Sequence, residues 1–253
     1  MSVLVECRAV QLRAGTRLLV DSLDLQIRTG SRWAVLGPNG AGKSTLLATL
    51  AGARRADGGS VLLRGRPLEQ WDVQTLAAQR SLLPDGWLDP FAATVRDTVL
   101  TARYRLGDVD EQGSRVAERW LGRFDCSGLL QRDVRSLSRG ERQRVAIATT
   151  LSQEAPLLLL DEPIAHQDPR HQALVIDELA RLDEHTLMAS LHDLNAAVRL
   201  ATHALLLDGR GGWVAGPAQE VLSAQKLSVL FDTPIDRLTL ASGSGYLVVR
   251  PPR

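Results

Sequence analysis

The sequence predicts an α/β fold with a mostly parallel core sheet, an N-terminal antiparallel β-subdomain and a helical insert. Three observations lead to this prediction. A glycine-rich loop at 37–45 stands between a strand-like apolar run and a helix-like run. Polar and apolar residues alternate over 3–36, and strand-like and helix-like stretches alternate again after 156. Between about 90 and 135, apolar residues recur instead at helical spacing.

Residues 3–36 predict antiparallel strands that precede the glycine-rich loop. Apolar and polar side chains alternate, as in Leu23–Ile27, and a turn signal falls at 14–15. Asp57-Gly58-Gly59 predicts a turn into a further strand over 60–64. These strands would form the antiparallel subdomain.

The glycine-rich loop carries the most specific motif in the chain, the G-x-x-x-x-G-K-[ST] pattern of a phosphate-binding P-loop. Its residues are Gly37, Pro38, Asn39, Gly40, Ala41, Gly42, Lys43, Ser44 and Thr45. Glycines let the backbone curl so that successive N–H groups point at phosphate oxygens. Lys43 would reach the β- and γ-phosphates of ATP, and the Ser44 hydroxyl would ligate Mg²⁺. A strand at 32–36 and a helix at 44–51 provide the setting that a P-loop NTPase core requires.

A second apolar run, Leu157–Leu160, predicts a buried parallel strand that ends in two carboxylates, Asp161 and Glu162. Sheets of this class bind ligands at the carboxyl ends of their strands, so both carboxylates are expected beside the P-loop. We assign Mg²⁺ ligation to Asp161. We assign orientation and polarisation of the attacking water to Glu162.

Composition and charge limit the classes of protein to consider. The 253 residues suffice for one large core, or for a main domain with a smaller lobe. A net charge of +1 gives no support for nucleic-acid binding. Cys7 and Cys126 lie far apart without metal-ligand spacing, which indicates two reduced thiols. With no visible signal peptide or bilayer-spanning run, we expect a soluble protein, or one that is peripheral on a membrane through its partners.

The segment Leu137–Gln143, Leu-Ser-Arg-Gly-Glu-Arg-Gln, precedes an amphipathic helix predicted over 144–151. Ser138 can cap that helix and Glu141 stands three residues later, so the segment is also a capping box that any helix could use. It is similar to the LSGGQ signature of ATP-binding cassette (ABC) proteins, and it lies between the P-loop and the two carboxylates, as in that family. The resemblance implies that the signature of one subunit closes over the γ-phosphate held by the other. The signature residues are Ser138, Arg139, Gly140 and Glu141.

Two more residues acquire expected roles from this resemblance. His192 follows a predicted strand over 186–190, where a lone histidine would usually be a cap or a surface residue. Thirty residues after Glu162, it resembles the family's switch histidine, which contacts the γ-phosphate. Asp168 matches the D-loop aspartate that lies across the dimer interface. The expected catalytic residues are therefore Glu162, His192 and Lys43.

The finer resemblance is to the ABC importers of iron-siderophore complexes, haem and cobalamin. The phrases that carry it are Val99–Tyr104, Leu137–Val145, His192–Asn195 and Gly216–Leu222. The similarity covers about residues 3–225. It implies a nucleotide-binding domain over 1–225, with a helical subdomain at about 90–150, and a short C-terminal extension over 226–253.

This resemblance implies the ATP-hydrolysing motor subunit of a membrane importer, with ATP and Mg²⁺ as cofactors. Two copies would form a homodimer that sandwiches two ATP molecules. The dimer would drive separate transmembrane permease subunits and, indirectly, a substrate-binding protein, at the cytoplasmic face of the inner membrane. No nucleic acid is expected as a partner, and the cargo stays open among the three classes.

Two alternatives remain open at the level of the sequence. One is a soluble ABC ATPase that acts as an assembly factor. The other is a nucleotide-dependent regulator with little hydrolysis, motivated by departures from the family pattern. Contact with a permease would involve the Asp85 loop and the insert around Trp87–Phe91, whose aromatic residues suit an interface or core packing about equally.

Three positions depart from the family pattern. Asp85 stands where the family usually has a glutamine that ligates Mg²⁺; aspartate can ligate Mg²⁺ but is shorter and charged. Arg139 replaces the first signature glycine, and its cation either helps or obstructs closure on phosphate. No adenine-stacking aromatic stands near the second strand, and Arg13 is the substitute candidate because a guanidinium plane can stack on a base.

Overall fold

The structure is a computed structural model that describes residues 2–86, 92–107, 111–239 and 245–250, without the side chain of Arg105. The aromatic segment Trp87–Phe91, predicted to contact a permease or the core, lies outside these residues. The strands are β1 (Val3–Ala14), β2 (Arg17–Arg28), β3 (Arg32–Leu36), β4 (Gly58–Leu63), β5 (Arg66–Pro67), β6 (Arg80–Leu83), β7 (Leu157–Leu160), β8 (Thr186–Ser190), β9 (His203–Leu207), β10 (Trp213–Pro217), β11 (Ile235–Thr239) and β12 (Gly245–Val249). The α-helices are α1 (Lys43–Leu50), α2 (Val73–Gln79), α3 (Val95–Thr101), α4 (Glu111–Arg123), α5 (Arg139–Leu151), α6 (Pro169–Ala180), α7 (Leu194–Leu200), α8 (Ala218–Val221) and α9 (Ala224–Phe231).

The central sheet has the strand order β10-β9-β3-β8-β7-β6, and all of its pairs are parallel except β10 with β9. The expectation of antiparallel strands over the whole of 3–36 is therefore wrong for β3, which lies in the middle of this parallel sheet. The physical reason is its unbroken apolar run, Trp33–Leu36, which is buried on both faces. This position places the P-loop at the carboxyl edge of the sheet.

A second sheet, in the order β2-β1-β4-β5, is antiparallel throughout. It packs on the face of the central sheet that carries α1, and the two share a core that includes Leu12, Leu19 and Leu47. Strand β7 belongs to both cores, because Leu157 and Leu159 face this side while Leu158 and Leu160 face the other. The predicted α/β class, with a mostly parallel sheet and an antiparallel β-subdomain, is confirmed.

The helical part of the chain, α3 to α5, packs on the opposite face of the central sheet. Val99 of α3, Leu121 of α4 and Val145 of α5 are buried in one core with Leu160 of β7. Helix α5 begins at Arg139, five residues earlier than the predicted helix over 144–151, because Ser138 caps it. The signature segment is therefore the first turn of a helix whose other end is in the core.

The last part of the chain folds against the same core. Helix α9 is followed by the antiparallel hairpin β11–β12, and Leu227, Ile235 and Leu247 are buried in the cluster that contains α6 and α7. The Asn195 side chain of α7 accepts a hydrogen bond from Leu247 N at 2.9 Å and donates one to Leu247 O at 3.1 Å. These two bonds fasten the hairpin to the helix that follows His192. Within the described residues, no helix is long and apolar enough to cross a membrane.

Candidate nucleotide-binding site

The P-loop links β3 to α1 in a conformation that requires glycine. Gly40 and Gly42 have φ angles of +74° and +103°, in the left-handed region that other residues rarely adopt. A Cβ on Gly42 would also lie 3.1 Å from the Leu19 Cβ. Gly42 precedes α1 without a side-chain cap, so the first N–H groups of the helix remain available to an anion.

Lys43 folds back over its own loop. Its Nζ donates to Gly37 O at 2.9 Å and to Pro38 O at 3.3 Å, and the residue is buried. Burial lowers the pKa of Lys43, and the nearby carboxylates of Glu162 and Asp161 oppose this shift. The ammonium group is therefore held on the loop that would bind phosphate, close enough to the two carboxylates that end β7 to feel their charge. Ser44 and Thr45 follow in the first turn of α1, with Ser44 exposed.

Asp161 is held at the end of β7 by its neighbours on both sides. Its backbone N–H donates to Leu83 O of β6 at 2.9 Å. Its buried carboxylate accepts a hydrogen bond from Ser190 Oγ of β8 at 2.5 Å. Since β8 lies between β7 and β3, Ser190 stands between the P-loop strand and the carboxylate strand.

Glu162 is fixed through its backbone as well as its side chain. Its φ is +49°, a left-handed conformation that costs a non-glycine residue about 1–3 kcal/mol and persists only where neighbours enforce it. Its N–H donates to Ser190 Oγ at 2.9 Å, and its carbonyl accepts from Gln143 Nε2 at 3.1 Å. The half-exposed His192 places its Nε2 2.5 Å from Glu162 Oε1. The structure thus brings Lys43, Asp161, Glu162 and His192 to one edge of the sheet.

Sequence reasoning missed Ser190 and Gln143. Ser190 is the last residue of β8, and its importance depends on β8 lying beside β7, which no local pattern reveals. Gln143 is the last residue of the segment quoted for its similarity to the ABC signature, so its position was visible but its contact with Glu162 was not. The sequence signal that could have identified Ser190 is its position as a polar residue at the end of an apolar strand.

The signature segment forms the capping box that the sequence allowed. Glu141 N donates to Ser138 Oγ at 3.3 Å, and Ser138 N donates to Glu141 Oε2 at 2.8 Å. Hydrogen bonding to its carboxylate from the Ser138 backbone N–H, and then from the Ser138 side chain, lowers the pKa of Glu141. Arg139 is exposed in the first turn of α5. Gly140 packs closely on residues 164–168, the segment that resembles the family's D-loop, because a Cβ there would lie 3.0 Å from His166 O.

Asp168 caps helix α6. Its Oδ1 accepts from His171 N at 3.0 Å, and His171 Nδ1 lies 2.7 Å from the other carboxylate oxygen. The hydrogen bonds to the backbone and side chain of His171 lower the pKa of Asp168. The carboxylate that the resemblance places at a dimer interface therefore also has a structural task within its own chain.

Asp85 and Arg13 lie in different surroundings. Asp85 is exposed in the turn after β6, two residues beyond Leu83, whose carbonyl binds the amide of Asp161. Arg13 directs its guanidinium to Gln11 Oε1 and Thr16 O. The arginine beside the P-loop is Arg17 instead: it donates to Gly209 O at 2.9 Å, and its Nη1 would lie 3.7 Å from a Cβ on Gly40.

Three comparisons with known proteins give one consistent result. The family model described as ABC transporter matches residues 20–165. The chain is 40% identical to the hemin import ATP-binding protein HmuV of Streptomyces coelicolor, over 98% of this chain and 90% of that protein. It is 35% identical to the siderophore transport system ATP-binding protein YusV of Bacillus subtilis, over 90% of this chain and 85% of that protein. Among solved structures, a metal-chelate type ABC transporter in an inward-facing conformation matches with a TM-score of 0.83 and 26% identity, covering 99% of this chain and 98% of that chain.

Proposed function

The chain belongs to the ABC transporter family of ATP-binding proteins, which hydrolyse ATP, and we propose that it drives an importer of haem or iron-siderophore complexes. It works with separate permease components, as ATP-binding subunits of importers do. The proposed cargo rests on the names of its relatives, which include hemin import and siderophore transport proteins. Cobalamin, the third cargo class that the sequence left open, is the alternative cargo.

The observation that carries the hydrolytic function is the meeting of four groups at the carboxyl edge of the central sheet. Lys43 is poised over the P-loop, and Asp161 and Glu162 end the strand two places away from β3. His192 contacts the Glu162 carboxylate. A carboxylate within reach of a γ-phosphate can orient water for in-line attack, and His192 would contact that phosphate while holding the carboxylate. Lys43 and the first turn of α1 would stabilise the phosphate charge.

The site suits Mg²⁺ because its candidate ligands are hard oxygen donors. They are the exposed Ser44 hydroxyl, the buried Asp161 carboxylate and the exposed Asp85 carboxylate. Mg²⁺ is usually held by one or two protein oxygens together with substrate phosphates and water. When bound, the ion would neutralise charge on the β- and γ-phosphates. Asp85 lies in the turn that follows β6, and β6 pairs with β7, which supports its inclusion.

We also propose that two copies act as a homodimer. Ser138 and Arg139 form an exposed helix start whose first turn is positively polarised, in a helix whose Gln143 donates to the chain's own Glu162 carbonyl. In the arrangement that the family resemblance implies, a second chain holds the γ-phosphate that this helix start contacts. Asp168, exposed at the start of α6, would lie across the same interface. The dimer would sit at the inner face of the cell membrane beneath its permease, with a substrate-binding protein acting indirectly.

The first experiment measures ATP hydrolysis by the purified chain with and without its permease. Stimulation by the permease is expected, and turnover that no permease changes would favour a soluble ABC ATPase that acts as an assembly factor. Lys43→Ala should remove most ATP binding or turnover, since Lys43 is the cation over the P-loop. Glu162→Gln should retain ATP binding, slow hydrolysis and accumulate the dimer. Near-normal turnover of Glu162→Gln would show that another group orients the water.

A further inference from the structure

The signature end of α5 is fastened to the segment that carries the water-orienting carboxylate of the same chain. Gln143, one turn into α5, donates from Nε2 to Glu162 O at 3.1 Å. On the same side, Gly140 lies so close to the D-loop that a Cβ would be 3.0 Å from His166 O. Residues 162–166 and the first turns of α5 are therefore in direct contact.

The hydrogen bond from Gln143 acts on the carbonyl of Glu162, a residue whose backbone conformation is rarely populated. Glu162 has a φ of +49°, and positions of this kind hold only where surrounding bonds enforce them. The Glu162 carbonyl has two donors, Gln143 Nε2 and Ala165 N, each at 3.1 Å. The Ala165 bond is local to the turn, so Gln143 supplies the long-range restraint on this carbonyl.

Helix α5 is suited to transmit displacement to that peptide. Its first turn is exposed at Ser138 and Arg139, while Val145 to Ala148 are fully buried in the core. A force on the exposed N-terminal end of α5 would tilt its first turns relative to the buried turns that follow. Gln143 lies between the two, at the point where a tilt changes its distance from Glu162 O.

We propose that Gln143 is a positioning residue that makes each chain's Glu162 respond to the state of that chain's own signature segment. This rests on the proposed function, in which the signature binds the nucleotide of the partner. Nucleotide docking on Ser138–Glu141 would move α5, and Gln143 would carry the movement to the Glu162 peptide. Binding of ATP to the signature segment of one chain thereby sets the position of the Glu162 carboxylate in that same chain, which acts on the other ATP. The two sites of the dimer are coupled through each chain in this way.

The first test replaces Gln143 by leucine, which keeps similar bulk and removes the donor. We expect kcat for ATP to fall by at least about tenfold, with KM within about twofold, because misplacing a reacting group acts on turnover. Gln79→Leu is the matched control: Gln79 is also partly buried, and its side chain accepts a hydrogen bond from Arg64 Nε at the opposite end of β6. A Gln143→Leu enzyme with the kcat of the control would overturn the proposal.

A double-mutant cycle separates positioning of Glu162 from a general structural defect. If Gln143 acts through the Glu162 carboxylate, Gln143→Leu should change the residual rate of Glu162→Gln by less than about twofold. A further loss equal to that in the wild-type background would show independent effects and contradict the proposal.

Mixed dimers decide whether the effect stays within one chain. Two differently tagged copies are co-expressed and purified by both tags, and one copy carries Glu162→Gln so that only the other copy's Glu162 is active. Gln143→Leu on the copy with the intact Glu162 should lower activity, whereas Gln143→Leu on the Glu162→Gln copy should not. The reverse pattern would mean that Gln143 acts on the partner's site. Absence of permease-stimulated hydrolysis in the wild type would instead refute the proposed function.

Discussion

Replacing Ser190 by alanine should destabilise the protein and slow ATP hydrolysis together, because one hydroxyl binds both the Asp161 carboxylate and the Glu162 backbone amide. Ser190 Oγ donates to Asp161 Oδ1 at 2.5 Å and accepts from Glu162 N at 2.9 Å. The residue has 0% exposure. Alanine fits the same space without either bond.

The magnitude follows from the two bonds. A hydrogen bond to a charged group contributes about 1.5–3 kcal/mol, and an unsatisfied buried amide costs about 1–3 kcal/mol. Water that enters beside the P-loop would recover part of this, so we expect the free energy of unfolding to fall by about 2–4 kcal/mol. Freed from Ser190, the Glu162 peptide would leave its left-handed conformation more easily, and kcat should fall by at least about tenfold.

Urea titration and steady-state ATP hydrolysis measure the two effects. Ser152→Ala is the control, since Ser152, the residue after helix α5, is equally buried but its Oγ donates back to Ala148 O in the last turn of that helix. That change should cost less than about 1 kcal/mol because such bonds add little to a helix. If Ser190→Ala unfolded within about 0.5 kcal/mol of Ser152→Ala, and with unchanged kcat, the hydroxyl would not hold the site.

Three further predictions concern the rest of the chain. Asn195→Ala should release hairpin β11–β12, because both hydrogen bonds to Leu247 are lost. The rate of proteolysis or of hydrogen exchange should then rise in the described parts of the hairpin, 235–239 and 245–250. Unchanged rates would show that Asn195 does not hold the hairpin. Cys7 and Cys126 should resist a thiol reagent from pH 7 to 9 in the folded protein and react with it on unfolding. Burial raises the pKa of Cys7 to about 12 and that of Cys126 to about 11. Fast labelling of the native protein would contradict this prediction. With Arg13 as the sole stacking candidate from the sequence, ATP and GTP should be hydrolysed with kcat/KM values within about tenfold, and a strong preference for ATP would contradict loose base selectivity.

The placement of Arg17 bears on that last experiment. Arg17, and not Arg13, has its guanidinium beside the P-loop, where it is held by Gly209 O. Arg17→Ala and Arg13→Ala can be compared for KM of ATP. A larger effect at Arg17 would assign base contact to the arginine that the sequence did not single out.

Much of the site could be predicted because its signals are local. The P-loop motif specifies glycines whose φ angles build the anion cradle, and Ser138 with Glu141 predicts a capping box within one helical turn. The apolar run Leu157–Leu160 predicts a buried strand that ends in Asp161 and Glu162. Elements whose bonds join residues a few positions apart are encoded in short stretches of sequence.

The predicted secondary structure was wrong where the local sequence pattern and the tertiary environment favour different structures. β3 continues an antiparallel series in the sequence but joins the parallel sheet, because burial on both faces overrides its neighbours. Helix α5 begins at Arg139 because capping by Ser138, rather than the amphipathic pattern, decides where it starts. Short elements such as α2 and β10 have too few residues for a periodic signal.

By itself, the sequence identified the ABC family and predicted a nucleotide site built from a P-loop, two strand-end carboxylates and, through the family resemblance, a switch histidine. Only the tertiary structure decided which long-range contacts hold the site and the C-terminal hairpin: Ser190 on Asp161 across 29 residues, Gln143 on Glu162 across 19, and Asn195 on Leu247 across 52. Such contacts depend on the order of strands in the sheet and on the packing of α5 and the hairpin. That order is set by burial summed over the whole chain, and no short stretch of sequence contains it.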